Sequence, residues 1–146
     1  MRAVVVHEAL ARANFERDVA ALTDQMAELQ RLVLHQRAFP FVDVTIVHSK
    51  SIRVCLKADD WDDLPPSIAL LNPDGSPWTS PLPGGVFNGG PHSVSGRSFI
   101  CMRGSREYHT HSGHVNDVWQ NYRGQDGMGL IGILMQLSSV WRQAVR

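Results

Sequence analysis

The sequence predicts an α+β domain: an N-terminal helix, an antiparallel β-meander, an active-site loop and a C-terminal helix. Three observations predict it. Phe15, Val19, Leu22, Met26, Leu29 and Val33 recur at alternating steps of four and three, the mark of one helix face. Two runs rich in β-branched residues, Phe41 to Val47 and Ile52 to Leu56, flank a polar turn and read as a hairpin. Near the C-terminus Leu130, Leu134, Leu137, Trp141 and Val145 form a second helical stripe.

A chain of 146 residues can bury about two thirds of its unfolded surface, so one domain over residues 1–146 is expected. Fourteen basic residues balance fourteen acidic ones, which leaves no global field to attract nucleic acid or an anionic membrane. No apolar run approaches the roughly 18 residues of a membrane span. Cys55 and Cys101 lack the spacing of a disulfide framework, and the N-terminus lacks a signal-peptide pattern, so a reducing, cytoplasmic setting is expected.

Taken in order, the opening residues leave two readings open: a strand beginning at Val4 to Val6, or a helix in HEALARA. Asn14 then serves as N-cap of a helix that Pro40 stops, its stripe too short for a coiled-coil seam and suited to docking on a sheet. Val42, Val44 and Ile46 share one face of the next strand, and Ile52, Val54 and Leu56 one face of its partner. Cys55 reads as a small strand residue, because nothing near it in sequence would lower its pKa. The acidic run Asp59-Asp60-Trp61-Asp62-Asp63 reads as a solvated loop without a calcium-loop glycine.

Pro65 and Pro66 introduce a short apolar strand that ends at the turn Asn72-Pro73-Asp74-Gly75. Residues 76 to 96 are dense in Gly, Pro and Ser, and a loop of that length inside a small domain points to function. Trp119 and Tyr122 are suited to anchoring a loop by packing. The final helix opens at Asp126 or Gly127. Gly129 and Gly132 in its first turns imply a close backbone approach, expected from the cysteine loop.

The densest chemistry lies in Phe99 to His114, which holds Cys101, Glu107, His109, His111 and His114. Cys101 follows two apolar residues, as at the end of a buried strand. Glu107, His109 and His111 occupy every second position, so an extended backbone would point all three the same way. Ser112-Gly113 breaks the alternation and sets His114 apart. Two chemistries compete for these residues. Cys101 could be a nucleophile that carries an acyl group, with the histidines and Glu107 moving protons. Alternatively Cys101, Glu107, His109 and His111 could be four ligands of a zinc ion, although their spacing matches no zinc-knuckle pattern. His7, His35 and His48 read as surface or hydrogen-bonded residues.

The order of elements, with Pro65-Pro66 before a strand, Pro91-His92-Ser93 before Gly96-Arg97-Ser98-Phe99-Ile100-Cys101-Met102, and a closing helix over Leu130 to Leu137, resembles the ubiquitin-conjugating enzyme (UBC) family. In that family a His-Pro-Asn triplet precedes a Gly-x-Ile-Cys-Leu segment. The resemblance implies a UBC-like fold in which Cys101 receives the C-terminus of a ubiquitin-like protein from an activating enzyme as a thioester. It would then pass the modifier to an amine of a target protein in a bacterial conjugation pathway. His92 would shape the loop, and Glu107, His109 or His111 would help deprotonate the amine; no cofactor is required. The family's oxyanion asparagine is replaced by Ser93.

The segment Glu107 to His114 also resembles a bacterial family, found with ubiquitin-like conjugation systems, that is predicted to bind metal through a Cys, Glu, His, His set. On that resemblance Cys101, Glu107, His109 and His111 are the named positions and zinc is the candidate metal. A catalytically silent conjugating-enzyme variant that only binds partners is the remaining alternative.

Overall fold

The computed structural model describes residues 2–146, with side chains from residue 7 onward. Helix α1 covers Arg2–Val19, which settles the opening as helix and makes Asn14 an interior residue rather than an N-cap. Ala11, Phe15 and Val19, at steps of four, form its buried face.

The helix expected to run on to Pro40 is divided into three elements. Thr23 ends the continuity by capping a new helix, α2 (Asp24–Leu29), its side chain accepting the Met26 N–H at 3.1 Å. Arg31, at φ 58°, then reverses the chain into strand β1 (Leu32–Ala38). The stripe continues across the break as far as Leu22, which is buried, and Met26, partly buried against the core, whereas Leu29 and Val33 are 75% and 48% exposed. A threonine that offers its hydroxyl to the backbone, and a neighbouring strand that offers a ladder, outweigh helical spacing here. Pro40 lies in the turn between β1 and β2.

Strands β2 (Phe41–Ile46), β3 (Ile52–Lys57) and β4 (Ser67–Leu71) complete an antiparallel sheet in the order β1-β2-β3-β4. Val44 faces Val54 across the central pair, and Val42, Ile46, Ile52 and Leu56 are buried on the same face as expected. On the other face Arg53 donates to both oxygens of Asp43 at 2.9 and 2.8 Å. Cys55 stands opposite Asp43, and its thiol is pushed up to about 11 by burial and by that negative charge. It is a strand residue, as expected.

A closing helix, α4 (Leu130–Ala144), lays Leu130, Ile133, Leu134, Leu137 and Trp141 into the cluster formed by the sheet and α1. The Gly/Pro segment over 76–96 is ordered from this helix: Trp78 and Phe87 meet Trp141 edge-on at 5.6 and 5.2 Å. Phe87 belongs to β5 (Phe87–Asn88), which pairs with β6 (Phe99–Ile100). The helical glycines act differently from expectation. Gly129 is the N-cap of α4, and a Cβ on Gly132 would lie 2.6 Å from the carbonyl oxygen of Gly127, not against the cysteine loop. Gly104 makes the contact between that loop and α4, with Ile133 3.0 Å from where its Cβ would stand.

Among the described residues no helix is long and apolar enough to cross a membrane.

Candidate functional site

Cys101 follows β6 directly, and its N–H donates to the Val86 carbonyl at 2.6 Å, so the β5–β6 pair fixes its backbone. The side chain is half-buried, and this burial pushes the thiol above its ordinary value. Its sulfur lies 3.3 Å from Nε2 of His114. The His114 ring stacks on Tyr108, with centroids 4.0 Å apart and planes at 19°. The Tyr108 hydroxyl donates to Asp117, as does that of Tyr122, and Arg103 Nε reaches the same carboxylate at 3.0 Å. These hydroxyls, together with Arg103, hold the Asp117 carboxyl well below the usual range. The histidine beside the cysteine therefore rests on a tyrosine whose far end is tied down.

The alternation expected of Glu107, His109 and His111 is lost because the segment is not extended. Ser105 caps a short helix, α3 (Arg106–His109), by accepting the Tyr108 N–H at 3.1 Å. In a helix, positions two apart diverge by about 200°. Glu107 is buried against β4, where it accepts hydrogen bonds from the Ser67 hydroxyl at 2.5 Å and the Ile68 N–H at 2.8 Å. His109 accepts the Gly104 N–H at Nε2 (3.1 Å) and donates from Nδ1 to the Asp117 carbonyl (2.8 Å), so both ring nitrogens are engaged. His111 lies over Phe99 at 5.8 Å and accepts the Gly113 N–H at 3.0 Å.

These engagements separate the residues expected to act as one set. Among the described residues no three His, Cys, Asp or Glu side chains are grouped so as to hold a metal ion. The four-ligand arrangement of Cys101, Glu107, His109 and His111 is thus not formed. His114, set apart by the sequence pattern, is the histidine in contact with Cys101. The available signal was Ser105, a helix cap followed by an acidic residue in the first turn, which marks α3 and hence the end of the alternation.

His92 is buried and spans the loop. Its Nε2 donates to the Glu107 carbonyl at 2.8 Å, while Nδ1 accepts the N–H groups of Val94 and Ser95 at 3.1 and 3.3 Å. The Gly/Pro loop is thereby tied to α3, which carries Tyr108. The neighbouring Ser93 is exposed.

The acidic run, expected to be solvated, is instead a clamp. Asp59 pairs with Arg106 at 2.7 Å, and Arg123 Nη2 reaches both Asp62 and Asp63 at 2.9 Å. Trp61 is buried beside Trp119, whose Nε1 donates to the Asp62 carbonyl at 2.8 Å. The run thus holds the segment after Cys101 from both ends. His7 bonds Asp60 and His35 bonds Thr45, both at 2.7 Å, in keeping with ordinary hydrogen-bonded histidines.

Burial holds the His109 imidazole below its ordinary value, its bond to the Asp117 carbonyl opposing this only in part. As pH falls through the histidine range, the unfolded chain takes up this proton before the folded one does, so stability declines. Protonated Nε2 would also present a donor to the Gly104 N–H. Thermal midpoints measured between pH 7 and pH 5 should therefore fall, and His109→Gln should flatten that slope while lowering the midpoint at pH 7.

A family model described as Y4jH-like, of the Y4jH family, matches residues 90–146. The matched part contains His92, Cys101, His114, Asp117 and α4. A search of curated proteins gave no match.

Proposed function

We propose that the protein is a UBC-like conjugating enzyme that carries a ubiquitin-like modifier as a thioester on Cys101. The observation that carries this reading is the Cys101 sulfur, half-exposed at a strand end, 3.3 Å from His114 Nε2. The order helix, four-stranded meander, loop, cysteine and closing helix supports it, as does a buried His92 that organises the loop before the cysteine.

The thiol, raised by burial, is mainly protonated near neutral pH, so attack needs a base. His114 Nε2 takes the Cys101 proton as the sulfur attacks the thioester carbonyl presented by the activating enzyme. A tetrahedral intermediate forms, the activating enzyme's sulfur leaves, and the proton passes to that thiolate. An amine of the target then attacks the Cys101 thioester, an amide bond replaces it, and Cys101 leaves as the thiolate. The amine's excess proton goes to the Cys101 sulfur through His114. No cofactor is required at this step; ATP is consumed by the activating enzyme. With Glu107 held on β4, His114 takes the proton-handling role that the sequence pattern gave to Glu107, His109 or His111.

The test is incubation with ATP, an activating enzyme and the ubiquitin-like protein of a bacterial conjugation system. A thiol-labile adduct should form, persist in Cys55→Ser, and be replaced in Cys101→Ser by a thiol-resistant ester or by nothing. An adduct that remains thiol-labile in Cys101→Ser, or no adduct on the wild-type chain, would overturn the reading.

A further inference from the structure

A cleft of about 520 Å³ opens between α2 and the C-terminal half of α4, and none of its lining residues belongs to the cysteine cluster. Its walls carry Arg142, Arg146 and His48 and no aspartate or glutamate, although the chain as a whole is neutral. The volume is within the range of small-molecule sites, roughly 300–1,000 Å³.

Two polar groups in this wall lack partners. Ser138 is 2% exposed, lines the cleft, and its hydroxyl has no hydrogen bond. Arg142 Nε is also buried without an acceptor. Buried donors are almost always paired, so two on one cleft wall indicate a missing acceptor. The guanidinium is meanwhile held in place: Nη2 donates to the carbonyls of Gln30 and Arg31 at 2.7 and 3.0 Å. This contact fixes the guanidinium with its Nε donor unpaired. Met26 and Met135 supply apolar wall beside these donors.

We propose that this cleft is a binding site for a small oxyanion, a carboxylate or phosphate borne on an apolar body, with Ser138 and Arg142 as its buried donors. The oxyanion accepts from the Ser138 hydroxyl and Arg142 Nε, Arg146 adds charge at the rim, and the apolar body lies on the methionines. The site is independent of the thioester reading and stands if that reading fails.

The full-length chain, labelled with ¹⁵N, would be titrated with phenyl phosphate, benzoate and neutral phenol while amide shifts are followed. Saturable shifts at Ser138 and its neighbours are expected for at least one anion by roughly 10 mM, and not for phenol. Which anion saturates first identifies the ligand as phosphate or carboxylate. Ser138→Ala should weaken binding about tenfold, the loss of one charge-assisted hydrogen bond, without lowering the thermal midpoint, because its hydroxyl has no partner to lose. Arg146→Gln should weaken binding and reduce its salt dependence. No saturable shift with either anion, equal binding of phenol, or unchanged affinity in Ser138→Ala would overturn the proposal.

Discussion

Replacing His114 by alanine is expected to slow the proposed thioester formation on Cys101 by about 10²–10⁴-fold, the usual contribution of a positioned general base. The effect is large because burial raises the thiol, so little thiolate stands ready without a base. His114 is the histidine that meets the sulfur, whereas His111 lies over Phe99 and His109 has both nitrogens engaged. Single-turnover rates for His114→Ala, His111→Ala and His109→Gln should therefore separate, with only the first collapsing near neutral pH. Raising the pH should restore much of the His114→Ala rate, since hydroxide then forms the thiolate that the imidazole would have formed. An unchanged rate in His114→Ala would remove the base role. A loss that pH does not relieve would indicate that the ring supports structure instead.

The same residues mark how far the sequence could be read. The β2–β3 hairpin and the stripe of α4 were legible because strict alternation and 3.6-residue spacing each had a single partner surface to satisfy. Phe15 to Val33 was misread because its apolar spacing continues through a cap at Thr23 and a reversal at Arg31, where local hydrogen bonding and strand pairing decide the outcome. Cys101 at a strand end was legible from Phe99 and Ile100. The partner of Cys101 was not, since it depends on α3 winding the chain between residues 106 and 109 and on a turn that brings His114 back. Tyr122 was legible as a loop anchor, but its meeting with Tyr108 on Asp117 was not, for a similar reason: the three converge only once the acidic run has fastened Arg106 and Arg123.

The largest effect on stability is expected at Trp141, where alanine should cost about 3–5 kcal/mol, the range for emptying a fully buried large aromatic site. Trp141 has no solvent exposure, meets Trp78 and Phe87 edge-on, and donates from Nε1 to the Lys50 carbonyl at 2.7 Å. Truncation leaves a cavity between α4 and the sheet and orphans a carbonyl in the β2–β3 turn, two costs that add. Against a total stability of about 5–15 kcal/mol this is a large fraction, and the thermal midpoint should drop by roughly 10 °C or more. The consequence also reaches the site. Phe87 sits in β5, and the neighbouring Val86 carbonyl accepts the Cys101 N–H, so a loosened Phe87 should free the cysteine backbone. Urea unfolding of Trp141→Ala and Trp141→Phe, with hydrogen exchange at the Cys101 amide, would check both parts. Phenylalanine should recover much of the stability and the Cys101 protection. A loss below about 1 kcal/mol in the alanine variant would mean that the Gly/Pro loop is held by other contacts.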